Sequence, residues 1–176
     1  MQMISTVEDV LLPFHSVEEV NLLRRTAYAR FPNYDKGNYY TIIKRDSECR
    51  RILNYDEMEM VVRSQNRTVS VVEFEGISFG NQVSLMRNTR VLISVHGAAL
   101  VNIVFMPPGS SLVEIINPML YAPFYKYLSF FASVHHVEFR NMTNTVACET
   151  KTWNPFLQMN MQLDLEVFST VLTSIG

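Results

Sequence analysis

Two apolar periods alternate along this chain. Val17, Val20, Leu22 and Leu23 recur at helical spacing, which predicts a helix over residues 17–29. Ser16, with Glu19 three residues later, has the form of a capping box. After a loop over 32–38, Tyr40, Ile42 and Ile43 mark a strand over 39–44. Asn54 then stands where it would cap a helix over 55–64, with Glu57 at the third helical position. A turn over 66–68 leads into a second strand over 69–74, and Ser78 precedes a short helix over 79–86. The run of branched residues over 91–95 suits a fully buried strand. His96 and Gly97 break that run, and good helix formers follow over 98–105. Pro107, Pro108 and Gly109 stop this helix before a second apolar run over 112–116. An aromatic-rich helical pattern over 121–131, a strand over 134–139, a polar loop over 141–155 and a closing helix over 163–175 complete the reading.

Strands alternating with helices predict an α/β domain, a Rossmann-like, mostly parallel sheet with helices on both faces. The expected division is a lead-in helix and linker over 1–36, the Rossmann-like domain over 37–140, and a loop with the closing helix over 141–176. At 176 residues and 48% hydrophobic, the chain can bury one real core. Such sheets bind ligands beyond the carboxyl ends of their strands. Arg45, Glu75, His96 and Asn117 each follow a different predicted strand, so their loops are expected to converge on one edge.

The small residues Gly97, Ala98 and Ala99 stand where the central helix begins. An anion can approach the backbone N–H groups of its first turn, with donors from His96 and Asn102 nearby. Arg45 and Arg50 suit a diphosphate through the planar fork of the guanidinium; the plain alternative is a solvated basic loop. His96 is expected to donate to a phosphate or to a leaving oxygen, in preference to acting as a base; the alternative is a structural histidine bonding a backbone group. Glu114 lies inside a strand, where a carboxylate needs a partner. It either hydrogen-bonds a ribose or base edge or pairs with Arg45. Phe79 and Ser78 offer stacking and a hydrogen bond to a nucleobase, or else a core aromatic and a helix cap. Tyr121, Phe124, Tyr125 and Tyr127 read as core or interface aromatics. Glu73 and Glu75 would share one strand face, but no His or Asp spacing supports a metal, and none is expected. His135 and His136 are adjacent on a strand and point to opposite faces, which disfavours joint chelation.

Fifteen Lys and Arg against seventeen Asp and Glu give a net charge of −2, which excludes a polybasic nucleic-acid binder. Cys49 and Cys148, the only cysteines, read as unpaired thiols, with one bridge left open. Asn66-Arg67-Thr68 and Asn141-Met142-Thr143 are N-glycosylation sequons, a weak pointer to a secretory route. No apolar stretch approaches the roughly 18 residues of a membrane helix, and the amino end has no signal-peptide pattern.

One stretch carries a family resemblance. His96-Gly97-Ala98-Ala99-Leu100-Val101-Asn102-Ile103-Val104-Phe105-Met106-Pro107-Pro108-Gly109, followed by Val113-Glu114-Ile115, resembles the signature of the family 61 glycosyltransferases. That family includes the EGF-domain O-linked N-acetylglucosaminyltransferases and the plant xylan arabinosyl- and xylosyltransferases. The chain departs from the pattern at Ala99, usually Gly, and at Val101, often Thr. Arg45, then Arg50 with Ile52-Leu53-Asn54, is similar to an upstream block, and Ile77-Ser78-Phe79 with Gln82 to another. The resemblance implies the carboxyl-terminal, donor-binding half of an inverting enzyme of the GT-B type. It implies a UDP-sugar donor, a protein or polysaccharide hydroxyl as acceptor, no cofactor or metal, and a Golgi or endoplasmic reticulum lumen location. Membrane attachment would come only from an anchor upstream of this chain.

Two other readings stand beside it. Gly76-Ile77-Ser78-Phe79-Gly80 matches the G-x-S-x-G elbow of a serine hydrolase, with Glu114 and His135 or His136 completing the order. Against this, His96-Gly97 follows the serine, whereas the oxyanion loop of that fold precedes it. The third reading is a nucleotide-sugar-binding domain without catalysis.

Overall fold

The computed structural model describes residues 13–32, 38–45, 47–148 and 158–175. Five strands, β1 (Tyr39–Ile43), β2 (Val69–Val72), β3 (Thr89–Val95), β4 (Ser111–Ile115) and β5 (His135–Phe139), form one sheet in the order β2-β1-β3-β4-β5. Every pairing in it is parallel, so all five carboxyl ends lie along one edge. Arg45, Glu75, His96 and Asn117 therefore do share that edge, and the Rossmann-like expectation holds.

Both faces of the sheet are covered, because its central strands are apolar on both sides. Ile43, Leu92 and Leu112 face α1 (Val17–Arg30), α3 (Phe79–Arg87), a 3₁₀ helix (Ala98–Phe105) and α4 (Phe124–Ala132). Ile42, Ile93 and Val113 face α2 (Tyr55–Arg63) and α5 (Leu165–Ile175). Helix α1, from the lead-in segment, contributes Val20 and Ala27 to the first core. Its cap is half the expected box: Ser16 Oγ accepts from Glu19 N at 3.2 Å, but Glu19 reaches His15 N at 2.8 Å instead of Ser16 N.

The helix after β3 is 3₁₀, not α. Leu100 N donates to Gly97 O and Met106 N to Ile103 O, both at 3.0 Å. A three-residue turn stacks the exposed Ala98 and Val101 in one column and the buried Leu100, Ile103 and Met106 in another. Gly109, at φ +79°, closes the turn from Pro107 to Ser110 that leads into β4. No helix among the described residues is long and apolar enough to cross a membrane.

Four expectations are corrected. Part of the predicted polar loop is strand: β6 (Met142–Ala147) pairs antiparallel with β7 (Met159–Leu163). The polar sequence of β6 and its exposed side chains gave no alternating signal. Leu163 ends β7, and the closing helix starts two residues later, capped by Asp164 accepting from Val167 N at 3.1 Å. Asn54 makes no cap; its amide pairs with Leu163 N and O at 2.9 and 3.0 Å. Finally, Cys49 and Cys148 are disulfide-bonded across 99 residues, with Cα atoms 5.7 Å apart, and are not free thiols. Most of the loop over 32–38 and residues 149–155 lie outside the described residues.

Candidate functional site

The connection leaving β1 runs through α2 on one face, and that leaving β3 runs through the 3₁₀ helix on the other. Adjacent parallel strands whose connections diverge open a crevice at their carboxyl ends, the switch point where α/β sheets bind ligands. A cavity of about 370 Å³ lies there, lined by Lys44, Arg45, Glu73, Phe74, Glu75, Gln82, Ser94, Gly97, Ala98, Ala99 and Asn102. A second, of about 270 Å³, lies on the α2 side and takes in Lys44, Arg45, Arg50, Arg51, Tyr55 and Asp56. Arg45 borders both.

Two guanidinium groups converge on Gly97. A Cβ at that position would meet Arg45 Nη1 at 3.4 Å and Arg50 Nη1 at 3.5 Å. Both distances are ordinary van der Waals contacts, so the two groups lie directly against the main chain at Gly97. Arg45 Nε donates to Ser47 Oγ at 2.8 Å, and Arg50 Nη1 reaches His96 O at 3.4 Å. Arg50 Nε is buried without a hydrogen-bond partner, and neither arginine meets a carboxylate among the described residues. Burial, and then the nearby Arg45 charge, lower the Arg50 pKa. Two guanidinium groups that meet no carboxylate among the described residues thus stand close together at one glycine.

The loop that carries both arginines is held from the far face. The Cys49–Cys148 disulfide joins it to β6. Leu53 N donates to Met161 O and Met161 N to Arg51 O, both at 2.8 Å, and Asn160 Oδ1 accepts from Arg51 N at 2.8 Å. Sequence reasoning missed this brace because Cys148 lies in the segment read as polar loop and residues 156–162 carried no predicted element.

Behind Gly97, Glu114 is fully buried and bridges two imidazoles. His96 Nδ1 lies 2.5 Å from Glu114 Oε1, and His136 Nε2 lies 2.6 Å from Glu114 Oε2. Burial opposes ionisation of this carboxyl, but the hydrogen bonds and charges of His136 and His96 outweigh it and hold the pKa below its ordinary value. Tyr125 donates to Gly97 O at 2.6 Å and sets its ring against His96 at 5.3 Å between centroids. Burial, then the Glu114 charge, push the Tyr125 hydroxyl up to about 12, so it stays a donor.

The sequence-derived residues thus fall into three groups. Arg45, Gly97, Ala98, Ala99 and Asn102 line the main cavity, and Arg50 joins Arg45 at Gly97. Asn102 also ties the helix start, donating to Ala99 O at 3.1 Å. His96 and Glu114 lie together behind the edge. Glu114 pairs with the two histidines, not with Arg45, which corrects that alternative. Ser78 and Phe79 fall outside both cavities. Ser78 Oγ caps α3 by accepting from Asn81 N at 3.4 Å, and Phe79 packs edge-on to Phe31 and Phe105. Strand β2 ends at Val72, so Glu73 and Glu75 do not share a strand face, although both line the cavity. His136 points inward and His135 outward, as the strand alternation requires.

The hydrolase constellation does not assemble. Ser78 follows β2 and His136 lies on β5, the two opposite edges of the sheet. Four strand spacings of about 4.8 Å separate those edges. Glu138 brings a third ligand atom near Glu114 and His136, all within 4.8 Å. Both Glu114 oxygens already bind rings, however, and Glu138 pairs with Arg140 at 2.9 Å, so this set is closed by its own hydrogen bonds.

Comparison with known proteins gives a family match and several similar relatives. The family model described as Glycosyltransferase 61 matches residues 3–113. Protein O-linked-mannose beta-1,4-N-acetylglucosaminyltransferase 2 of Mus musculus is 34% identical over 128 residues, 67% of this chain and 22% of the relative; that of Homo sapiens gives the same figures. The EGF domain-specific O-linked N-acetylglucosamine transferase of Drosophila melanogaster is 33% identical over 78 residues, 44% of this chain and 15% of the relative. The chain thus spans about a fifth or less of the length of these curated relatives.

Proposed function

Since this chain belongs to glycosyltransferase family 61, we propose that it is the donor-binding part of an enzyme that transfers a sugar from a UDP-sugar, with inversion, to a hydroxyl of a protein or polysaccharide. The observation that carries this reading is the convergence of Arg45 and Arg50 on Gly97 at the switch point, with no carboxylate to neutralise them among the described residues. A nucleoside diphosphate there meets two charge-assisted donors and the uncapped amino end of the 3₁₀ helix. Glu73 and Glu75 across the cavity are acceptors for sugar or ribose hydroxyls.

Departure of the diphosphate concentrates negative charge on its terminal oxygens as the glycosidic bond breaks. Cations fixed before the reaction stabilise that charge without reorganisation. In an inverting displacement the acceptor hydroxyl attacks from the side opposite the leaving group, so Arg45, Arg50 and His96 all serve the leaving side. No metal takes part in this reading: the two arginines supply the positive charge at the diphosphate. The disulfide suits an oxidising compartment, and with the named relatives it supports a secretory-pathway lumen, Golgi or endoplasmic reticulum.

Calorimetry with UDP tests the reading. Wild type is expected to bind, and Arg45→Ala and Arg50→Ala to bind roughly 10- to 100-fold more weakly, the scale of one lost charge-assisted hydrogen bond. Equal affinity in all three proteins would take the diphosphate away from Gly97.

A further inference from the structure

The two sequons sit differently in the fold. Asn141-Met142-Thr143 leads into β6. Met142 packs on the core beneath α2 and α5, Asn141 O accepts from Asp164 N at 3.0 Å, and Thr143 Oγ1 donates to Gln162 O at 3.4 Å. Once β6 and β7 pair, this sequon is part of their ribbon. Asn66-Arg67-Thr68 stands apart. It lies in the turn between α2 and β2, and all three residues are exposed.

Asn66 has φ +58°. Asparagine tolerates this left-handed conformation better than most side-chain-bearing residues, so the turn by itself accounts for the asparagine. It does not account for the threonine. Thr68 serves the fold through its carbonyl, which accepts from Tyr40 N at 2.9 Å. Its hydroxyl and the side-chain amide of Asn66 have no partner among the described residues. An exposed asparagine with an exposed hydroxyl two residues on, neither used by the fold, is what an oligosaccharide-transferring enzyme requires. The Cys49–Cys148 disulfide is an independent observation, because it belongs to an oxidising compartment such as the one in which this transfer takes place.

The position gives the modification a use. Strand β2 is an outer strand of the sheet, and on its outer side it pairs with no strand among the described residues. Its four residues, Val69-Ser70-Val71-Val72, carry no charge. An uncharged, largely apolar edge invites pairing with another chain. A glycan rooted just before β2 lies over that side. It also leaves the cavities clear: Asn66 precedes the amino end of β2, and a four-residue strand at about 3.3 Å per residue puts the carboxyl edge roughly 13 Å further on.

We propose that Asn66 is an N-glycosylation site whose glycan covers the outer side of β2. The inference rests on the lumenal reading above. The donor is an oligosaccharide carried on a lipid diphosphate. Asn66 Nδ2 bonds to the anomeric carbon, and the bond from that carbon to the diphosphate oxygen breaks. The amide gives up one proton to the transferring enzyme, and the lipid diphosphate leaves with the electron pair.

The full chain, directed into the secretory lumen of cultured animal cells by a cleavable signal sequence, tests this. Thr143→Ala removes the other sequon and leaves Asn66 alone; site-resolved mass spectrometry of wild type gives the same answer if that variant does not fold. The protein is expected to carry a glycan that an amide-cleaving glycosidase removes, with a gain in gel mobility and an aspartate left where the asparagine was. Adding Thr68→Ala is expected to abolish the glycan while keeping Asn66 in its turn, and adding Thr68→Ser to retain it. The Thr68→Ala protein is also expected to self-associate at concentrations where its glycosylated counterpart is monomeric by light scattering. A chain with its disulfide formed and Asn66 unmodified would overturn the proposal and leave the lumenal reading standing. A glycan-free Thr68→Ala protein that stays monomeric would overturn the shielding of β2. Both thiols free in the lumen would remove the lumenal reading, and this inference with it.

Discussion

Arg24 is 4% exposed in the middle of α1, where a helical reading places a charge on the solvent face. It holds two helix ends instead: Nε donates to Val104 O at 2.9 Å and Nη2 to Ala132 O at 2.7 Å, the last turns of the 3₁₀ helix and of α4. A cation there satisfies carbonyls that have no partner within their own helices. Arg24→Met keeps much of the apolar stem and strands both carbonyls. At about 1–3 kcal/mol for each buried unsatisfied group, the expected loss is roughly 2–6 kcal/mol, read as a lower denaturant midpoint at unchanged slope. A midpoint within error of wild type would show that water replaces the guanidinium. Single residues were legible in the sequence where chemistry and position coincided: Arg45 and His96 at strand ends, Glu114 inside an apolar run. Arg24 and His136 were not, because their partners come from elements far away in sequence.

At the scale of elements, the strands and helices of the sheet were legible because their apolar periods agree with their final burial. The brace formed by β6, β7 and the disulfide was not, since β6 is polar and exposed and owes its shape to pairing with β7. That brace fixes the loop bearing both arginines, so its loss should reach the site. Cys148→Ser is expected to cost about 2–4 kcal/mol of stability, the usual scale for a bridge closing a long loop. It is also expected to weaken UDP binding several-fold, because Arg45 and Arg50 then have to be ordered by the ligand. Thermal unfolding and calorimetry measure the two effects separately. Reduced stability with unchanged affinity would separate the disulfide from the function of the loop.

For the whole molecule, the groups proposed to hold the donor all come from one edge of one sheet, and the cavities there open to solvent. Orientation of two substrates and exclusion of water supply much of the rate of a transfer reaction, and both need a surface facing that edge. The chain by itself is expected to bind the donor without using it. UDP should raise its melting temperature, since a ligand bound only by the folded state stabilises that state. A UDP-release assay over a panel of UDP-sugars, with peptide and xylan acceptors, should show no acceptor-dependent turnover. Acceptor-dependent release would establish that this edge assembles a complete active site. The parallel sheet and its shared edge were foreseeable from the alternation of elements; the strand order was not, because nothing local to β1 specifies that β3 will lie beside it.

That order has a consequence for how the chain is made. Strand β1 is an inner strand, yet it is made before the other four strands of its sheet, and its partner β3 follows about fifty residues later. Until then its apolar residues have only β2 and the helices α1, α2 and α3 for company. Cys49 waits longer, since its partner is 99 residues downstream. At a synthesis rate of about 5–20 residues per second, that thiol stays unpaired for roughly 5–20 s. The arginine loop is thus among the first parts of the described fold to be synthesised and among the last to be locked in place.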